Sequence, residues 1–266
     1  MGFLHPPILG NAVLTAFPDT PRWLIWPYIP SEGVVFLFGK FSVGKSPLVW
    51  SLAQAVSEGQ PWFGHPVSET GHVLYLEADE PLRLTVERLK LLNPFPARLL
   101  TIGSNPFSVT ELLSNDRDIL KKAETDYNPR LIIINTLRKT HNLDDKESTA
   151  PSRVFGAWKS LFPNSCILFV HHDKKSVRLA DGEVSGPGDE DFSGTQAWSN
   201  DAQIALHLTS IGPKRQKHVR LEMTKSQLCA LADPLTLRLG EDGVTWRDTG
   251  CEEIIKTFSA LPEKLL

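Results

Sequence analysis

Apolar residues along this chain fall into short unbroken runs rather than at every second position. Val34-Val35-Phe36-Leu37-Phe38, Leu131-Ile132-Ile133-Ile134 and Cys166-Ile167-Leu168-Phe169-Val170 each read as a strand buried on both faces, and His72-Val73-Leu74-Tyr75-Leu76 reads as another strand of the same sheet. Helices are predicted between them over 45–57, 81–92, 109–125 and 152–162, with a short strand over 99–102. Buried runs separated by helices predict an α/β fold with a mostly parallel central sheet and helices on both faces. After about residue 199 the style changes to strand–turn–strand. Runs over 202–208 and 218–223 flank a turn containing Gly212-Pro213, and 235–239 and 244–246 complete a C-terminal antiparallel extension. Residues 1–30 are rich in proline and tryptophan, show no periodicity, and are expected to pack as an irregular arm. Ser176–Asp191, rich in glycine, serine and acids, is expected to be a mobile loop. The chain therefore divides into an arm (1–30), a core domain (31–248) and a tail (249–266).

Composition adds limits rather than a function. A chain of 266 residues can bury one large core without disulfides or metal. Hydrophobic content of 41 % and charged content of 22 % are ordinary for a soluble globular domain. Cys166, Cys229 and Cys251 have no C-x-x-C spacing, which favours a reduced, cytoplasmic setting over a disulfide scaffold. No stretch approaches the roughly 20 apolar residues of a membrane span. The net charge of −3 does not announce a nucleic-acid binder, although a local basic loop could still make such contacts.

The chemistry enters at Gly39-Lys40-Phe41-Ser42-Val43-Gly44-Lys45-Ser46, which fits G-x-x-x-x-G-K-[ST] between a predicted strand and a predicted helix. Glycines let backbone N–H groups converge on phosphate oxygens, and the helix N-terminus adds the positive end of its dipole. In this motif Lys45 reaches the β- and γ-phosphates, and the Ser46 hydroxyl is suited to Mg²⁺. Pro47 is tolerable in the first helical turn, where its missing N–H has no internal partner. Residues Gly39 to Pro47 are thus the expected nucleotide-binding set, with a nucleoside triphosphate and Mg²⁺ as ligands.

The order of features resembles the RecA-like ATPases, and most closely the plasmid RepA-type hexameric replicative helicases, over roughly residues 22–246. Beside the phosphate loop, the resemblance is carried by Leu74-Tyr75-Leu76-Glu77-Ala78-Asp79-Glu80 and Arg130–Lys139. It continues through Phe169-Val170-His171-His172-Asp173-Lys174-Lys175 and Phe192–Trp198. It implies a RecA-like P-loop core and a catalytic carboxylate after the second core strand that orients the attacking water. Asp79 aligns there, with Glu77 close by and Glu80 as the stand-in. It implies a Mg²⁺-orienting aspartate where this chain has Asn135, so Asn135→Asp is expected to ease the Mg²⁺ requirement. It assigns γ-phosphate sensing to His172, with His171 as its neighbour. It matches Lys225 to a basic residue that reaches the nucleotide of an adjacent subunit. Gln227 and Ser193 stand where relatives carry arginines.

The resemblance also implies single-stranded DNA held by the loops after the third and fourth core strands. Those loops supply Arg138 and Lys139, then Lys174, Lys175 and Arg178. Acids in both loops make their charge mixed, so any binding should depend strongly on salt. Three readings stand at this point: a ring-forming, Mg²⁺-dependent replicative helicase of a mobile element, a filament-forming recombination or repair ATPase, and a nucleotide-binding assembly module with weak hydrolysis.

Overall fold

A computed structural model describes residues 23–144, 147–173, 193–211 and 217–250. Among the described residues nine strands form one sheet, in the spatial order Trp246–Asp248, Leu235–Leu239, His218–Ser226, Ile204–Ile211, Gly33–Gly39, Cys166–His172, Leu131–Asn135, Val73–Glu77 and Leu99–Gly103. The parallel part comprises β3 (Gly33–Gly39), β4 (Val73–Glu77), β5 (Leu99–Gly103), β6 (Leu131–Asn135), β7 (Cys166–His172) and β8 (Ile204–Ile211). The antiparallel extension is β9 (His218–Ser226), β10 (Leu235–Leu239) and β11 (Trp246–Asp248). The sequence-based fold class therefore holds.

The continuous apolar runs are explained by two buried faces. Val35, Leu37, Val73, Tyr75, Ile133 and Leu168 point into one layer, with α1 (Lys45–Glu58) and Leu89 of α2 (Leu82–Leu89). Their alternate neighbours Val34, Phe36, Leu74, Ile132 and Ile167 point into the other. There they meet Val154, Phe155 and Trp158 of α4 (Ala150–Leu161), Leu120 of α3 (Ser114–Tyr127) and Trp198 of α5 (Ser193–Asp201). An alternating strand would leave one of these layers unfilled.

Three local differences have physical reasons. Residues 23–30, expected to be irregular, contain a two-stranded antiparallel ribbon, β1 (Trp23–Ile25) and β2 (Ile29–Pro30). Leu24, Ile25, Tyr28 and Ile29 are fully buried in the α1 layer, so tertiary burial orders a segment too short to show periodicity. The predicted helix over 109–125 splits into a single 3₁₀ turn, Val109–Glu111, followed by α3, because Leu112 and Leu113 adopt extended backbone. The last strand begins at Trp246 rather than at 244. Asp242 holds the preceding turn by accepting from the N–H groups of Val244 and Thr245, both at 3.0 Å.

The connections decide where a ligand can sit. Chain entering at β3 leaves toward β4 on one side and is later joined by β8 on the other, so β3 lies at a topological switch point. The crevice at its C-terminal end is the expected binding position in such sheets.

Candidate nucleotide-binding site

The segment Lys40–Gly44 follows β3 and runs directly into α1, whose N-cap is Gly44 with φ 105° and ψ 23°. That left-handed conformation is accessible to glycine without strain, which accounts for the residue type at this position. Val43 N–H donates to Lys40 O at 3.3 Å, and Leu48 N–H to Gly44 O at 3.2 Å, closing the loop onto the helix. All of Gly39 to Pro47 lie in this one strand–loop–helix unit, with Lys40, Phe41 and Ser42 exposed at its tip.

Lys45 is 4 % exposed. Its Nζ donates to Gly39 O at 2.6 Å and Lys40 O at 2.9 Å, and lies 3.1 Å from His172 Nδ1. Burial pushes its ammonium down to about 8, partly offset by the carboxylates of Asp173 and Asp79. His172, at the end of β7, is held below the ordinary histidine range, first by burial and then by Lys45, against the pull of Asp79. Its Nε2 is 3.8 Å from Asp79 Oδ2, an electrostatic contact too long for a direct hydrogen bond. Phe41 covers the imidazole with ring centroids 5.6 Å apart. Lys45, His172 and Asp79 thus converge at the mouth of the loop.

Glu77 and Glu80 behave differently from Asp79. Glu77 ends β4 fully buried. It accepts from Tyr75 Oη at 2.9 Å, from Asn135 Nδ2 at 3.0 Å and from the N–H groups of Asp79 and Glu80 at 2.9 and 3.2 Å. A buried carboxylate so fully bonded is an anchor that fixes the turn carrying Asp79. Burial, with Glu77 second, raises the Tyr75 hydroxyl well above its ordinary range and keeps it a donor. Glu80 faces away to Arg88 Nη1, at 2.7 and 2.9 Å.

Asn135 is 4 % exposed, and its Nδ2 also donates to Tyr75 Oη at 3.0 Å. The amide nitrogen is therefore turned into the protein, which leaves Oδ1 as its one oxygen for a metal-bound water. Ser46 lies in the first turn of α1 with intermediate exposure. The Ser46 hydroxyl and the Asn135 amide oxygen are hard oxygen donors, the chemistry that fits Mg²⁺ completed by waters and phosphate oxygens.

Sequence reasoning missed a second cluster. Asp173 N–H donates to Gly39 O at 3.2 Å, the same carbonyl that Lys45 engages. Asp173 Oδ2 is 3.2 Å from Nε2 of His207 on β8, and His207 stacks on Phe38 with centroids 4.4 Å apart and planes 8° apart. An acid directly after the two histidines was the only sequence signal, because His207 joins it across the sheet. His171 faces the other layer, tilted against Phe36 at 5.4 Å.

The remaining expected residues are dispersed. Arg138 and Lys139 form a 3₁₀ turn after β6 and are exposed. They line an open cavity of about 610 Å³ with Phe107, Ser108, Glu111 and His141. Lys174, Lys175 and Arg178 lie outside the described residues. Lys225, on β9, donates to the carbonyls of Ser199 at 3.2 Å, Ala202 at 2.6 Å and Asn200, so within its own chain it caps the C-terminus of α5.

Comparison with known proteins agrees with this geometry. A family model described as an AAA domain matches residues 7–177. A solved structure described as an ATPase domain superposes with a TM-score of 0.59 at 12 % sequence identity, covering 83 % of this chain and 86 % of that one. At that identity the likeness is one of fold. No curated protein matches. Among the described residues, no helix is long and apolar enough to cross a membrane.

Proposed function

This chain belongs to the AAA domain family, and from that premise we propose that it is a Mg²⁺-dependent ATPase acting on DNA, a ring-forming replicative helicase of a plasmid, phage or other mobile element. The observation that carries the reading is the convergence of Lys45, His172 and Asp79 at the phosphate loop. Loop N–H groups and Lys45 hold the triphosphate and offset charge on its γ-phosphate in the transition state. Asp79 orients a water for attack on the γ-phosphorus. The P–O bond to the β-phosphate then breaks, and the water's proton passes to the carboxylate or to the departing phosphate. His172, now contacting Lys45, exchanges that contact for the γ-phosphate and passes the change to the residues that follow β7. Mg²⁺, held by Ser46 with Asn135 Oδ1 supporting its water shell, would supply charge neutralisation between phosphates.

For DNA, the support is the open cavity beside Arg138 and Lys139, where two cations adjoin the aromatic Phe107. The experiment is steady-state phosphate release with and without single-stranded DNA, alongside electron micrographs of the ATP-bound protein. Stimulation by DNA and closed rings support the helicase. Filaments would move the reading to recombination or repair.

A second reading, a nucleotide-binding assembly module, is favoured by one observation. The most fully bonded carboxylate near the site, Glu77, is locked in the core, and Asn135 is turned toward it. Tight ATP binding with turnover that neither DNA nor assembly raises would select that reading.

A further inference from the structure

The phosphate loop rests on a residue from the far end of the chain. A methyl group at Gly44 would come within 2.6 Å of Cζ2 and 3.0 Å of Cη2 of Trp246, so the indole edge lies against the backbone of the loop's last glycine. Trp246 is 8 % exposed and shares one core cluster with Leu48, Val49 and Leu52 of α1, against which Val43 of the loop also packs. Its Nε1 has no hydrogen-bond partner among the described residues. An indole set there without a polar reward is held by shape.

The chain delivers this side chain with care. Trp246 opposes Leu239 in the β10–β11 hairpin, and Gly240 N–H donates to Thr245 O at 2.8 Å across the turn. The Asp242 side chain accepts from Val244 and Thr245, which fixes the turn immediately before the tryptophan. Hydrogen-bonded strands then connect β11 through β10, β9 and β8 to β3, the strand that ends in the loop. The hairpin thus meets the loop twice, through the sheet and through the indole. The family-matched segment ends at residue 177, so the match does not include this residue.

We propose that Trp246 is a positioning residue for nucleotide binding, holding Gly44 and the first turn of α1 in the conformation that aims their N–H groups at phosphate, and that the C-terminal hairpin thereby registers occupancy of the loop. This rests on the reading of the loop as an ATP site. The loop binds through backbone donors, whose directions change with any rotation at Gly44. Removing the indole opens space beside a glycine that has no side chain of its own to resist movement. Misaligning one charge-assisted hydrogen bond to phosphate costs about ten- to a hundredfold in affinity.

The test uses the full chain, its Trp246→Ala and Trp246→Phe variants, and Lys45→Ala as the control for the site itself. Binding of a fluorescent ATP analogue is measured beside intrinsic tryptophan emission on titration with ATP. Trp246→Ala is expected to weaken binding by about ten- to a hundredfold while keeping the parental far-ultraviolet circular dichroism. Trp246→Phe, which restores an aromatic wall, is expected to recover most of the affinity yet lose the ATP-induced emission change of the parent. Parental affinity in Trp246→Ala, or an undiminished emission change in Trp246→Phe, overturns the proposal. Where Trp246→Ala does not fold, the emission of Trp246→Phe decides alone. Failure of the parent to bind ATP, or equal binding by Lys45→Ala, would overturn the phosphate-loop reading and this inference with it.

Discussion

Lys45 Nζ lies 3.1 Å from His172 Nδ1, and through this contact the phosphate loop touches the end of β7 directly. An ammonium has only protons to offer, so Nδ1 accepts and the imidazole carries its proton on Nε2, the nitrogen that faces Asp79. His172 thereby sits between the cation that holds phosphate and the carboxylate assigned to water. Replacing it with asparagine is expected to lower ATP turnover by about tenfold or more while changing ATP affinity much less. Equal losses in both quantities would make His172 a binding residue rather than a sensor.

Asn135→Asp is expected to destabilise the protein. On sequence grounds a carboxylate at 135 is expected to ease the Mg²⁺ requirement; the hydrogen bond to Glu77 predicts a different outcome. The amide donates to Glu77 Oε2 at 3.0 Å in the core, and an aspartate would set two carboxylates against each other there. A loss of about 2 kcal/mol or more in denaturant unfolding is predicted, with no fall in the Mg²⁺ needed for half-maximal turnover.

Lys225→Met keeps the aliphatic stem and removes the ammonium from the last carbonyls of α5. A stability loss of about 1 kcal/mol is expected, independent of protein concentration. Unchanged thermal unfolding together with collapsed turnover would instead assign Lys225 to the nucleotide of a neighbouring subunit.

Acid should unfold the chain partly through His171. Burial, followed by the neighbouring His172, lowers this imidazole to about 4 from 6.5, with Lys45 and His141 acting in the same direction and Asp173 against them. Between those values the unfolded chain binds a proton that the folded chain refuses, so stability falls as pH drops from 6.5 toward 4. In His171→Phe the dependence of unfolding free energy on pH should be shallower over that window. An identical slope would show that other groups carry the acid sensitivity.

Much of this architecture was legible because its signals are local. Unbroken runs such as Leu131–Ile134 announce strands buried on both faces, and the phosphate loop is written in eight consecutive residues. Helix α5 was missed because Ser193–Asp201 is polar apart from Ala197 and Trp198, and its ordering comes from packing in the second layer. Within the site, the roles of Glu77, His207 and Trp246 depend on Asn135, Asp173 and Gly44, which are distant from them in sequence. Sequence spacing cannot reveal that Glu77 meets Asn135, or that Gly44 meets Trp246.

The most direct test of the account is phosphate release from ATP in Mg²⁺ by the parent and by Lys45→Ala, with folding checked by circular dichroism. Lys45 is positioned by the loop itself and by His172, and the motif directs its charge to the β- and γ-phosphates. Measurable turnover in the parent, and a loss of at least about a hundredfold in a folded Lys45→Ala, is the predicted result. Parental turnover in Lys45→Ala would contradict the assignment of this loop as the site of ATP hydrolysis.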